Sequence, residues 1–247
     1  VIDAINQTIK LTPADIQKFS CRHTGIGFDQ CLVLEKSKLP HIDFFYRIFN
    51  ADGRLVGQSG NGARCLARFI QHYGFSSKTI LNVATTTTEL QLKINPDETV
   101  TVDMGIPVFA ASDPDILPGL TAHALTLGNP HVVIPVEAIK TAPVETLGPQ
   151  IETHVLFPEH TNVGFLEIKT PNHVSLRVHE RGAGETNACG SGAAAAVAVG
   201  RRFYNLEETV RVNLPGGDLT VGWPDMSGPI QLTGPAEFVY EGVIIIA

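Results

Sequence analysis

The sequence predicts an α/β (α+β) fold of two pseudo-symmetric domains, each a curved mixed β-sheet wrapped around a central α-helix. Three observations predict it. Many short β-branched runs are parted by turn residues, few helical stretches interrupt them, and one strand-loop-helix pattern occurs twice.

The strand signals fall at 30–35, 44–49, 79–83, 89–94, 131–136, 163–168, 174–179 and 209–212. Thr12-Pro13-Ala14-Asp15 supplies an N-cap, a first-turn proline and an early acid, opening a short helix that runs to about Phe19. A second helix is expected from near Asn61 to Tyr73, with Leu66, Phe69, Ile70 and Tyr73 on one stripe and Gly74 as its stop. A third begins near Gly190 and continues through the alanine run from Ala193 to Val199. It is apolar all round, which in a soluble chain means burial on every side.

The repeat appears when Ser59 is laid on Cys189, a shift of 130 residues. Arg47 then meets Arg177, Asn50 meets Glu180, Gly60 meets Gly190, Gly62 meets Gly192 and Ala63 meets Ala193. Short Gly-Ala patterns match by chance. A strand, a loop length and a helix start matching together point to duplication.

Composition bounds the rest. A chain of 247 residues, 43% hydrophobic and 17% charged, is that of a globular protein of one large or two compact domains. A net charge of −7 without a basic run argues against nucleic acid and leaves small polar substrates open. No stretch approaches the roughly 20 apolar residues of a membrane span, and Val1-Ile2-Asp3-Ala4 has no basic leader pattern. Cysteines 21, 31, 65 and 189 make no C-x-x-C pair and no zinc spacing, so a cytoplasmic protein with free thiols and no metal is expected. Cys21 and Cys31 remain open to pairing.

Cys189-Gly190-Ser191-Gly192 leads straight into the alanine helix. Unpaired N–H groups and the helix dipole there form an anion site. A thiol at such a terminus is expected to have its pKa lowered from about 8.5 into the range of roughly 3.5–7.5. Cys189 is thus a candidate base or nucleophile, its plainer reading being a small buried residue beside a tight turn. Ser59-Gly60-Asn61-Gly62 holds the equivalent place in the other half. Two such helix starts aimed at one crevice suit a carboxylate between them and set one side chain on each face of the attached carbon. Proton removal on one face and delivery on the other is racemase or epimerase chemistry.

Several separated motifs then carry a resemblance: Arg47-Ile48-Phe49-Asn50-Ala51-Asp52-Gly53, Gly60-Asn61-Gly62-Ala63-Arg64-Cys65, Gly128-Asn129-Pro130-His131, Glu180-Arg181-Gly182-Ala183-Gly184-Glu185-Thr186 and Ala188-Cys189-Gly190-Ser191-Gly192. Together with Leu214-Pro215-Gly216-Gly217 they span nearly the whole chain, which resembles diaminopimelate epimerase. The resemblance implies a cofactor-independent mechanism in which one thiolate abstracts the α-proton and the opposite thiol donates one, interconverting LL- and meso-2,6-diaminopimelate in lysine and cell-wall biosynthesis. It implies that Cys189 is one of these cysteines and that the other falls at Ser59. Cys65, six residues along the same helix, points elsewhere. It further implies substrate contacts from Asn50, Asn129, Asn162, Glu180 and Arg181, with Gln30 nearby. Backbone at Gly60, Asn61, Gly190 and Ser191 would hold the reacting carboxylate, with His131 and Glu180 assisting catalysis. A homodimer is implied as well.

Each residue also has a plainer reading. Asn50 and Asn162 could tie down loops, His131 could be structural, and Arg181 could be a surface charge rather than a bidentate carboxylate clamp. Arg47 and Arg177 could equally be scaffold.

Three departures stand against the family pattern. Ser59 is the gravest, because a hydroxyl ionises many units above a thiol, so epimerisation weaker than that of a two-cysteine version is expected. The family carries a strand and a glycine–asparagine loop ahead of the point where Val1 stands, and without them an unpaired sheet edge and a lost substrate contact are expected. Thr85-Thr86-Thr87-Thr88 replaces a turn that tends to carry glycine and reads as strand and hydroxyl-turn chemistry. The expected lobes are 1–103 with a returning strand near 236–247, and 104–235. A proline racemase-type isomerase and a non-catalytic binding paralogue are the rival readings.

Overall fold

The computed structural model describes residues 1–244. Strands β1 (Ile2–Asp3), β2 (Gln30–Lys36), β3 (Phe44–Asn50), β4 (Leu55–Val56), β5 (Ile80–Ala84), β6 (Glu89–Ile94) and β7 (Val100–Asp103) accompany helices α1 (Pro13–Ser20) and α2 (Gly60–His72). Then follow β8 (Val108–Phe109), β9 (His123–Thr126), β10 (Pro130–Pro135), α3 (Val144–Glu152), β11 (Asn162–Thr170), β12 (His173–Glu180), β13 (Gly184–Thr186) and α4 (Gly190–Phe203). Strands β14 (Thr209–Leu214), β15 (Gly217–Gly222) and β16 (Gln231–Gly234) complete the order.

The duplication runs through the pairing. Antiparallel β2–β3 matches antiparallel β11–β12, and parallel β3–β5 matches parallel β12–β14. Short β4 lies on β3 as β13 lies on β12. The strands form one mixed sheet whose two halves meet where β7 pairs antiparallel with β16.

Alternation along the strands places a helix on each face of each half. Leu32 and Leu34 of β2 face the core around α2, while Cys31 and Val33 face Ile16 of α1. In the second half Leu166 of β11 faces the core around α4, while Val163 and Phe165 pack with Val144 and Ile151 of α3. The residues of α4 from Ala193 to Val199 are fully buried, as an all-apolar helix requires.

Some expectations are corrected. The buried stripe of α2 is Ala63, Leu66, Ala67 and Ile70; Phe69 is only partly buried and Tyr73 is exposed. The sheet covers one side of α2, from β2, β6 and β7; at 100° per residue Phe69 lies off the buried stripe, and Tyr73 is the C-cap, past the last helical residue His72. Gly74 does stop the helix, at φ 67°, with Phe75 N–H donating to Ile70 O. No strand forms over 235–244; residues 245–247 lie outside those described. Pro235 has no N–H to extend the ladder beyond Gly234, and its carbonyl accepts from Arg64 instead. The four threonines form the expected hydroxyl turn, with Thr85 Oγ1 accepting from the N–H groups of Thr87 and Thr88. Arg47 pairs with Glu35 and Arg177 with Glu185, which makes both arginines scaffold. All four cysteines are free, leaving Cys21 and Cys31 unpaired. No helix among the described residues is long and apolar enough to cross a membrane.

Candidate active site

The two inner helices begin alike. Ser59 and Cys189 are their N-caps, both with extended backbone, and each side chain accepts from the N–H three residues on. Gly62 N–H reaches Ser59 Oγ at 3.1 Å, and Gly192 N–H reaches Cys189 Sγ at 3.3 Å. The helix starts abut. A Cβ built on Gly190 would lie 3.6 Å from Gly60 Cα and 2.8 Å from Leu232 Cδ2, and one on Gly60 would lie 3.1 Å from that same methyl. Leu232, on the seam strand β16, therefore floors both starts. Glycine at these two positions is what lets the backbones meet. Asn61 Nδ2 bridges the halves by donating to Ala188 O at 3.1 Å.

Around Ser59 the contacts are neutral. Its hydroxyl donates to Gln30 Oε1 at 2.6 Å, and Gln30 Nε2 donates to Asn50 Oδ1 at 3.0 Å. Gln30 and Asn50 face each other in the β2–β3 register. Around Cys189 the equivalent strand ends carry Asn162 and Glu180, and there the environment is charged. Burial pushes the Cys189 thiol well above its ordinary range, and the charge of Glu180 pushes the same way; the N–H of Gly192 opposes them and loses. The expected low-pKa thiolate is thus reversed. A helix start lowers a thiol's pKa only where burial and a neighbouring carboxylate do not outweigh it.

The remaining residues close the ring. His131 sits on β10, fully enclosed; burial, with the positive charge of Arg181 adding to it, pushes its pKa down to about 3, so the ring is neutral. Its Nε2 lies 3.1 Å from Asn129 Oδ1, and an amide oxygen only accepts, so the proton belongs on Nε2. Asn129 Nδ2 in turn donates to Ser191 Oγ at 3.3 Å, which stands 3.7 Å from Cys189 Sγ. Asn162 takes both roles open to an amide: Nδ2 donates to Pro130 O, and Oδ1 accepts from Arg181 N–H. The Arg181 side chain is exposed at the rim and donates to Glu159 O. Ser59, Gln30 and Asn50 thus form one hydrogen-bonded group and Cys189, Ser191, Asn129 and His131 another, with the Asn61–Ala188 bond joining the two helix starts.

Three supporting residues were not foreseen. The Thr186 hydroxyl donates to Glu180 Oε1. Glu152, at the end of α3, accepts from Gly182 N–H at 2.8 Å and lies 2.8 Å from His179 Nε2, which pins the turn carrying Arg181. Thr186, three residues before Cys189, had a positional signal. Glu152 had none, because Pro143, Gly148 and Pro149 disguise α3 as a loop.

The family model for diaminopimelate epimerase matches residues 1–110 and 123–239. The diaminopimelate epimerases of Legionella pneumophila strains Paris and Corby are each 52% identical to this chain, covering 99% of it and 94% of their own length. Among solved structures, a phenazine biosynthesis protein of the PhzF family from Bacillus anthracis superposes with a TM-score of 0.73 at 17% identity, covering 96% of this chain and 90% of its own. A hydroxyproline epimerase from Agrobacterium vitis, with trans-4-hydroxy-L-proline bound, superposes with a TM-score of 0.71 at 15% identity, covering 97% and 86%. These two share the fold. On sequence and architecture together, the chain belongs to the diaminopimelate epimerase family.

Proposed function

We propose that this chain binds 2,6-diaminopimelate and moves the proton on its α-carbon, the chemistry of LL/meso interconversion, with Cys189 working on one face and Ser59 weakly on the other. The observation that carries the reading is the meeting of two equivalent helix starts, each capped by a proton-bearing side chain. A substrate carboxylate seated there accepts from the free N–H groups around Gly60-Asn61 and Gly190-Ser191. Its α-carbon then lies between the two caps. Arg181 at the rim, with Asn162, Asn129 and Asn50, suits the distal amino-acid group.

The faces are unequal. Glu180 beside Cys189 can hold the proton that the thiol must lose before it acts as a base. Ser59 has an alcohol in place of the thiol, and its hydrogen points at the non-basic oxygen of Gln30. Epimerisation is therefore far weaker than with cysteine at both caps. Two protein acid–base groups suffice for this reaction without pyridoxal phosphate. The same reading carries a homodimer in the cytoplasm, and lobes of 1–103 with 236–247, and 104–235.

A second reading, a binding protein that keeps the pocket, is favoured by the Ser59–Gln30 bond, which leaves one face without a basic group. Ser59→Cys separates the two. With LL-diaminopimelate, the variant is expected to raise the rate of epimerisation to the meso form by roughly 10²–10⁴-fold, the usual worth of a positioned acid–base group. A variant no faster than the parent removes Ser59 from catalysis and leaves the binding reading.

A further inference from the structure

Arg64 lies in the second turn of α2 and is only 6% exposed. Its guanidinium donates to three neutral oxygens: Gly60 O at 3.2 Å, Asn61 Oδ1 at 2.9 Å and Pro235 O at 3.1 Å. Among the described residues it joins no ion pair with a carboxylate. It is packed tightly, since a Cβ on Gly234 would stand 3.2 Å from its Nε.

Two physical arguments make this arrangement unfavourable by itself. A buried charge without a counter-charge carries an uncompensated desolvation cost. Side chains on a helix lean toward its N-terminus, so this cation approaches the end where the helix dipole is already positive. Burial accordingly pulls the Arg64 pKa downward. The hydrogen bonds relieve the guanidinium's donors but not its charge.

Its bonds lead to the meeting point of the halves. Arg64 donates to Asn61 Oδ1, which leaves Asn61 Nδ2 to donate to Ala188 O, the residue before Cys189. Arg64 has only donors and a carbonyl only accepts, so the amide has one allowed orientation. The same Asn61 Oδ1 lies 3.6 Å from where a Gly190 Cβ would stand. Arg64 thus fixes the strut that holds the two helix starts together, with its charge behind them.

We propose that Arg64 is a positioning residue whose buried charge is left unmatched so that the carboxylate of the bound substrate supplies the missing negative charge at the paired helix starts. The assignment rests on the reading of those starts as a carboxylate cradle. It adds a third positive source to the two dipoles, one that neither touches the ligand nor takes part in proton transfer.

The full chain with Ser59 in place serves for the test, because the readout is binding. The dissociation constant for meso-diaminopimelate is measured by calorimetry for the parent, Arg64→Lys and Arg64→Gln, each shown to be folded by circular dichroism at the working temperature. Lysine keeps the charge and loses the fork; glutamine keeps hydrogen bonding and loses the charge. Arg64→Gln is expected to weaken binding at least about tenfold and Arg64→Lys by less than about threefold, a tenfold change corresponding to about 1.4 kcal/mol. A purely structural arginine would lower thermal stability in both variants and leave the affinity of the folded protein unchanged. Equal affinities, or lysine weaker than glutamine, overturn the proposal. A parent that binds no diaminopimelate overturns the cradle reading itself, a result distinct from either.

Discussion

Ser59 Oγ donates to Gln30 Oε1 across 2.6 Å, while the equivalent cap, Cys189, stands beside the charged carboxylate of Glu180. The two helix caps therefore differ in chemistry although they match in backbone. A thiol with a carboxylate can take up and return a proton; an alcohol bonded to an amide cannot do so readily at neutral pH.

One-faced exchange is the first consequence. Diaminopimelate incubated with the chain in deuterated water is expected to gain deuterium at the α-carbon faster than it changes configuration, because Cys189 removes and returns hydrogen on the same side. Cys189→Ala is expected to abolish this incorporation, with a loss of about 10²-fold or more. Mass spectrometry and chiral chromatography of the same samples give the two rates. Deuterium that arrives no faster than inversion would show two working faces.

The reactivity of Cys189 follows its surroundings. Burial, and then Glu180, raise its pKa, so little thiolate is present at pH 7 and alkylation by iodoacetamide is expected to be slow there. Glu180→Gln removes the negative charge, which eases ionisation and lowers that pKa. The rate at Cys189 should then rise at fixed pH, followed by site-resolved mass spectrometry because Cys65 is exposed and also reacts. An unchanged rate would mean that Glu180 exerts no charge effect on the thiol.

Glu152 makes stability depend on acid. Burial acts to raise its carboxyl, but bonds from Gly182 N–H, His179 and His160 outweigh it and hold the group below its ordinary value of 4.5. The unfolded chain then binds this proton more readily, so the contribution is complete above the unfolded value and disappears as pH falls through the folded one. Glu152→Gln is expected to cost about 1.5–3 kcal/mol at pH 7, the range for hydrogen bonds to a charged group. Urea unfolding should show the gap between parent and variant closing as pH drops below about 4. A gap independent of pH would remove ionisation from the account.

Gly148 of α3 tests the same joint sterically. A Cβ there would lie 2.7 Å from both Cβ and Cγ of His179, atoms with little freedom to move. Gly148→Ala is expected to destabilise the fold by about 1–3 kcal/mol through overpacking, at roughly 2–4 °C of melting temperature per kcal/mol. Scanning calorimetry measures the fall, and an unshifted transition would mean that α3 moves aside freely.

Much of this was legible because the information is local. The cap residues of α2 and α4 and the glycine stop of α2 are written in consecutive residues, and the repeat names both caps. The hairpin ends follow from the pairing: Gln30 stands opposite Asn50, and Asn162 and Glu180 are the next residues beyond the Val163–His179 pair. What failed depends on tertiary packing. The direction of the Cys189 shift is set by the enclosure of α4 and by a carboxylate nine residues away in sequence. The exposure of Tyr73 depends on where α2 ends, because it is the C-cap beyond His72. The coil after Gly234 follows from a proline whose carbonyl found Arg64, a partner 171 positions earlier.

The cap bond has a last consequence. Oxygen at position 59 and sulfur at position 189 accept from equivalent backbone N–H groups, those of Gly62 and Gly192, at nearly the same length, 3.1 and 3.3 Å. The architecture therefore cannot sense which element occupies either post. Reactivity at one end can be retired or reinstated by a single atom while the scaffold stays silent, so folding offers no safeguard for the chemistry.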